Sequence, residues 1–160
     1  MPYAILALVL VALDQLVKFL VVQNIPLGGS VSFIPHVLEL TYVKNTGAAF
    51  SILNEHTWIL TLVSLVLSVV LGLAVCRGFF RHPFGRTALT LLFAGAVGNL
   101  IDRVVLHYVV DMFNTLFMTF PVFNVADICV VVGGIAAAIY YGFYSDRVEA
   151  RLREENGGKA

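Results

Sequence analysis

Four apolar stretches, each about as long as a bilayer-crossing helix, dominate the 160-residue chain. They run roughly over 3–22, 58–76, 87–106 and 123–144. A helix needs about 20 mostly apolar residues to cross the hydrocarbon core. Apolar residues make up 59% of the chain and charged residues 12%, against about 25% charged in a soluble domain. The surplus apolar surface needs lipid to face. The expected fold is therefore membrane all-α: four transmembrane helices in a single integral membrane domain over 1–160, with no boundary, low-complexity tract or clear internal repeat. Net charge is zero, which gives no reason to expect nucleic acid as a partner.

The first stretch differs from a cleaved signal peptide. It lacks a basic leading region, Asp14 and Lys18 interrupt its apolar run, and no clear small-residue cleavage site follows. It reads as a retained helix. Asp14 and Lys18 are four apart and share one helix face. A charge at the middle of a membrane helix costs about 2.5–3.5 kcal/mol, so the two are expected to pair and to face the helix bundle. The pair is either purely structural or supports a nearby site.

Loop charge sets the expected orientation. The link between the second and third helices carries Arg77, Arg81 and Arg86, and the tail (145–160) carries Arg147, Arg151, Arg153 and Lys159. The segment from Gln23 to Thr57 holds one basic residue, Lys44, and that from His107 to Val122 holds none. The positive-inside rule then places both termini in the cytoplasm. In the first outer segment, Pro26, Gly28 and Gly29 mark a turn. Val37–Val43 alternates in part and is rich in β-branched residues, which predicts a small extracytoplasmic β element between helices 1 and 2. NTGAAF follows (Asn45–Phe50), its small residues suiting either a plain turn or an edge that receives another backbone. The charged tail is expected to be a solvated helix end.

Chemistry concentrates between Gly98 and Asp127, where Asp102, Arg103, Asp111 and Asp127 stand close to Asn99 and Asn124 between two apolar segments. Asp111 follows the third helix on the outer side, and Asp127 lies in the first turns of the fourth. Two antiparallel neighbouring helices can bring them together. Adjacent carboxylates in a low-dielectric site share a proton, so one can act as general base and the other as general acid. Either could instead cap a helix or pair with Arg103. The dipole favours an acid at the start of the fourth helix, and Asn124 is a plausible N-cap. Asp102 and Arg103 diverge on a helix: Asp102 reads as structural, and Arg103 as an anchor for a backbone carbonyl or lipid head group. Asn99, one turn before Arg103, offers donor and acceptor to a bound peptide. The link Met112–Phe120 is apolar and is expected to lie along the membrane interface.

Other chemistries find no foothold. No GxSxG surrounds a serine, and no HExxH, P-loop or GxGxxG occurs. Cys76 and Cys129 form no CxxC pair and read as packing residues. No metal or cofactor is implied. A small transporter also places acids in membranes, but nearer the midplane and often on broken helices.

Five ordered motifs carry a resemblance: DQLVK (Asp14–Lys18), NTGAAF (Asn45–Phe50), GNLIDR (Gly98–Arg103), VVD (Val109–Asp111) and FNVAD (Phe123–Asp127). Over nearly its whole length the chain resembles lipoprotein signal peptidase, or signal peptidase II. The resemblance implies an aspartic endopeptidase of the bacterial inner membrane. It would cleave diacylglyceryl-modified prolipoproteins just before the lipidated cysteine, with its active site at the extracytoplasmic face. It further implies that Asp111 and Asp127 are the catalytic pair and that Asp14 and Lys18 support them. Asn45, Gly47, Asn99, Arg103 and Asn124 would line the site. Membrane lipid and the prolipoprotein are the expected partners, and the chain is expected to act as a monomer without a cofactor.

Overall fold

The structure is a computed structural model that describes residues 1–47 and 57–144. Ala48, Ala49 and Phe50 of NTGAAF and the charged tail lie outside the described residues.

The order of elements is α1 (Pro2–Asn24), β1 (Ser30–Ile34), β2 (Leu38–Asn45), α2 (Thr57–Cys76), α3 (Pro83–Val105), β3 (Val109–Thr115) and α4 (Val125–Phe143). All four helices are long and apolar enough to cross a membrane. Their large apolar side chains, such as Leu8, Phe19, Val66, Val70, Val131 and Ile135, point outward, as a lipid-facing surface requires.

Helix α3 starts four residues before the expected Thr87. The His82 ring accepts the Phe84 N–H at 3.2 Å, and Pro83 takes the first helical position. There its missing N–H costs nothing and its fixed φ suits the helix. Helix α4 starts at Val125 rather than Phe123. Asn124 is the N-cap, with its side chain accepting the Asp127 N–H while the Asp127 carboxylate accepts the Asn124 N–H. This reciprocal pair satisfies two orphan donors of the first turn.

Helix α3 is the centre of the bundle, with α1, α2 and α4 packed against it. Glycines allow this closeness, as expected in lipid, where association rests on backbone approach rather than on hydrophobic force. A Cβ on Gly95 would strike the Ala126 carbonyl, and one on Gly98 would sit 2.7 Å from an Asp14 carboxylate oxygen. On α4, a Cβ at Gly133 would lie 2.8 Å from the Leu92 N and 2.9 Å from the Ala88 carbonyl oxygen of α3.

The β element is larger than the sequence suggests. It is a three-stranded antiparallel sheet in the order β1-β2-β3. Its third strand comes from the link after α3, and that strand carries Asp111. This corrects the expectation of an interfacial Met112–Phe120 link. Met112 is 0% exposed, and only the later part, with Leu116, Phe117, Met118 and Phe120, is exposed. Val21 and Ile25 at the end of α1 pack with Tyr42, Val110 and Met112, so the sheet has its own apolar core against a helix. Past β3 the chain doubles back. The Phe123 carbonyl accepts the Met112 and Phe113 N–H groups at 3.1 and 2.8 Å, which delivers Asn124 and the start of α4 beside Asp111.

The close α3–α4 seam makes a measurable claim. Gly133→Ala is expected to lower stability in detergent by about 1–3 kcal/mol through overpacking. Gly142→Ala, on the same helix with nothing within 4 Å of its added Cβ, is expected to be neutral or slightly stabilising. Thermal melts of the two variants check the difference, and equal melting temperatures would contradict it.

Candidate active site

The site begins with one lysine. The Lys18 ammonium has three donors and three acceptors. They are an Asp14 oxygen at 2.8 Å, an Asp102 oxygen at 3.0 Å and the Asn99 side-chain oxygen at 3.1 Å. Lys18, Asp14 and Asp102 are all buried. The expected Asp14–Lys18 pair is therefore a triad, and Asp102 is its third member. Gln15, which the sequence reading passed over, closes it. Its amide donates to Asp14 at 3.2 Å, to Asp102 at 3.0 Å and to the Gly98 carbonyl at 3.2 Å. The available signal was a third polar side chain inside an apolar helix, next to Asp14.

The two acids of the triad also hold backbone. An Asp14 oxygen accepts the Ala126 N–H at 2.8 Å, and an Asp102 oxygen accepts the Val110 N–H at 3.0 Å. Ala126 directly precedes Asp127, and Val110 directly precedes Asp111. Each of the two candidate carboxylates thus sits one residue beyond a backbone group clamped by the triad.

Three asparagines then surround the pair. Asn124 donates to Asp111 at 2.7 Å and to the Asn99 oxygen at 3.1 Å. Asn45 donates to the other Asp111 oxygen at 2.8 Å and accepts the Gly47 N–H at 3.0 Å. Asn99 donates to Asp127 at 2.8 Å. The second Asp127 oxygen accepts the Asn124 N–H at 3.1 Å. Each amide orientation is set by its partners, because every amide nitrogen faces a carboxylate. Burial is the main influence on Asp111 and pushes its carboxyl up from the usual 3.8 to about 6. The nearby Asp127 charge adds to this, while the Asn45 and Asn124 hydrogen bonds and Lys18 oppose it.

A cavity of about 690 Å³ opens on the pair. Asn45, Gly47, Asn99, Arg103, Asp111 and Asp127 line it, together with Val43 and Lys44 of β2, Phe120–Phe123, and Ile128 and Val130–Val132 of α4. One wall is therefore polar and the other apolar. Arg103 points back along α3, and its guanidinium donates to the Ser64 hydroxyl at 3.3 Å and the Asn99 carbonyl at 3.4 Å. Asn124 does not line the cavity as expected. It is fully buried behind the two carboxylates, because capping α4 turns its side chain inward.

Fold and site together define a multi-pass membrane protein with a carboxylate pair, Asp111 buried and Asp127 half-buried, facing one cavity. The family model described as signal peptidase (SPase) II matches residues 6–143. The lipoprotein signal peptidase of Enterococcus faecalis is 45% identical over 138 residues, covering 86% of each chain. That of Clostridioides difficile is 42% identical over 147 residues, covering 92% of this chain and 99% of the relative. A bacterial membrane enzyme solved by the in meso method at 1.9 Å superposes with a TM-score of 0.81 at 32% identity, over 90% of this chain and 94% of the other. The chain belongs to the signal peptidase II family, and is a membrane peptidase of aspartic type.

The raised Asp111 carboxyl has a consequence for stability. Between pH 3.8 and about 6 the folded protein holds a proton that an ordinary carboxyl has already released. Its stabilising contribution is complete at the acid end and is lost as pH rises through about 6. Asp111→Asn cannot ionise, so its melting temperature is expected to fall less than that of the wild type across this window. Identical slopes for the two proteins would overturn the assignment.

Proposed function

We propose that this chain removes the signal peptide from diacylglyceryl-modified prolipoproteins by cleaving just before the lipidated cysteine, with Asp111 and Asp127 as the catalytic pair. The observation that carries this reading is the shared setting of the two acids. Both line one cavity, both are held by asparagine amides, and Asn124 bridges them from behind.

In the working state the pair holds one proton, since two neighbouring carboxylates in a low-dielectric site do not both ionise readily. The ionised member takes a proton from a water whose oxygen attacks the scissile carbonyl carbon. The protonated member gives its proton to the carbonyl oxygen, forming a neutral tetrahedral intermediate. Collapse breaks the C–N bond: the proton gained from water goes to the leaving amine of the cysteine, while one hydroxyl of the intermediate returns its proton to the other aspartate, which yields the carboxylic acid and restores the singly protonated pair. Arg103 is assigned to a substrate backbone carbonyl, and Asp14 and Lys18 to holding the pair in place. Asn45, Gly47 and Asn99 form the polar wall.

The substrate path follows from the cavity walls. Strand β1 covers β2 only as far as Thr41, and Val43–Asn45 pairs with β3. Among the described residues no strand covers the other edge of Val43–Asn45, which suits an extended lipobox backbone. The apolar wall of Phe120, Val122, Ile128, Val131 and Val132 suits acyl chains arriving from the bilayer. Basic residues in the α2–α3 link and the tail support cytoplasmic termini and an extracytoplasmic site at the bacterial inner membrane. We further propose that the chain acts as a monomer.

Asp111→Asn and Asp127→Asn are each expected to reduce kcat/KM by at least about a thousandfold, in line with the loss of general acid–base catalysis, while the protein stays folded in the membrane. Full activity in either purified variant would sink the pair. A purified diacylglyceryl prolipoprotein should be cleaved and its unlipidated counterpart left intact. Equal cleavage of both would refute dependence on lipid.

A further inference from the structure

Helix α2 is almost wholly apolar, yet it carries serines at 64 and 68, four residues apart on one face. Small residues on this face suit close packing on α3. Gly72 continues the row, and a Cβ there would already lie 3.0 Å from the Phe93 ring. Size alone accounts for Ser68, whose hydroxyl is buried with no hydrogen-bond partner among the described residues. Ser64 differs, because its hydroxyl accepts the Arg103 guanidinium.

Arg103 needs such a partner. It stands two residues before the end of α3, where a long cationic side chain would ordinarily snorkel toward water. Its guanidinium instead lies one turn back, level with the Asn99 carbonyl. The side-chain tilt of a helix toward its N-terminus starts it in that direction, but tilt does not hold a charge there. The Asn99 contact, at 3.4 Å, is long and lies within α3 itself. Ser64 gives the guanidinium a side-chain bond from another element. Arg103 also lines the cavity, which puts its guanidinium, with five donors, within reach of a bound backbone carbonyl.

We propose that Ser64 is a positioning residue that holds Arg103 in the cavity, ready for a backbone carbonyl of the substrate. This rests on the reading of Arg103 as a substrate anchor. Ser64 does not line the cavity, so it acts through Arg103 alone. Its loss then weakens binding and leaves the chemistry at the two aspartates unchanged.

The test measures KM and kcat on a purified diacylglyceryl prolipoprotein with the full-length protein. Ser64→Ala is expected to raise KM about fivefold, the scale of one lost hydrogen bond, with kcat within about twofold of the wild type. Ser64→Thr keeps the hydroxyl and is expected to restore KM. Ser68→Ala, one turn away on the same seam, is expected to match the wild type. In an Arg103→Ala background, adding Ser64→Ala is expected to have no further effect. If Arg103→Ala raises KM while Ser64→Ala does not, the role of Ser64 falls and that of Arg103 stands. The inference also falls if Ser64→Ala acts equally in both backgrounds, because it then works through packing. An unchanged KM in Arg103→Ala itself would remove both.

Discussion

The structure depends on the ammonium of Lys18. Moving this charge and the carboxylates of Asp14 and Asp102 out of water is costly, and mutual attraction offsets that cost only when every remaining donor and acceptor is also satisfied. Here that condition holds. Lys18 spends all three donors, Gln15 serves both acids, and the second functions of the acids fall on backbone N–H groups of β3 and α4. Such a cluster does more than tie α1 to α3. It sets the position of two backbone points, each one residue from an acid of the proposed catalytic pair. A displacement of any partner would leave a buried charge uncompensated, so the arrangement is restricted to one geometry.

That geometry needs backbones closer than ordinary side chains permit. Gly98 lets the Asp14 carboxylate lie against α3, and Gly95 and Gly133 let α4 lie against the same helix. Lipid offers no hydrophobic drive for helices to associate, so close backbone contact and buried polar bonds do that work together. The sheet meets the bundle at one end, tied by the bond from Val110 to Asp102 and by the apolar contacts of Val21 and Ile25. The resulting cavity has carboxylates and amides on one wall and a lipid-like surface on the other. That division matches a substrate that is part peptide and part lipid.

Around the two acids, asparagines replace charges as the immediate neighbours. Amides donate hydrogen bonds without carrying a net charge, so they orient the carboxylates without fully cancelling the effect of burial on Asp111. The cations stand one step back. Lys18 acts on Asp127 through Asn99, and Arg103 lies along the cavity wall, bonded to Ser64 and to the Asn99 carbonyl.

Much of this was legible in the sequence because lipid is a demanding solvent. Four apolar stretches leave few alternatives to four helices, and a charge inside them must have a partner. Asp14 and Lys18, Asp111 and Asp127, and the asparagines beside them could be singled out on that ground. Local chemistry also foretold the cap of α4 at Asn124, though not the earlier start of α3, where His82 and Pro83 cap a helix whose first turn is less apolar than its middle. The third strand was hidden because VVDMFNT has too little alternation to declare itself. It becomes a strand only by pairing with β2 and burying Met112 under α1. Sequence by itself therefore determined the membrane class, the helix count and which polar residues had to be satisfied. Only the tertiary structure decided who satisfies whom: that Asp102 completes the Lys18 cluster, that Gln15 closes it, that Asn124 sits behind the acids and that Ser64 meets Arg103. Those pairings span tens of residues in the chain, and local pattern carries no information about which distant partner will reach a given buried group.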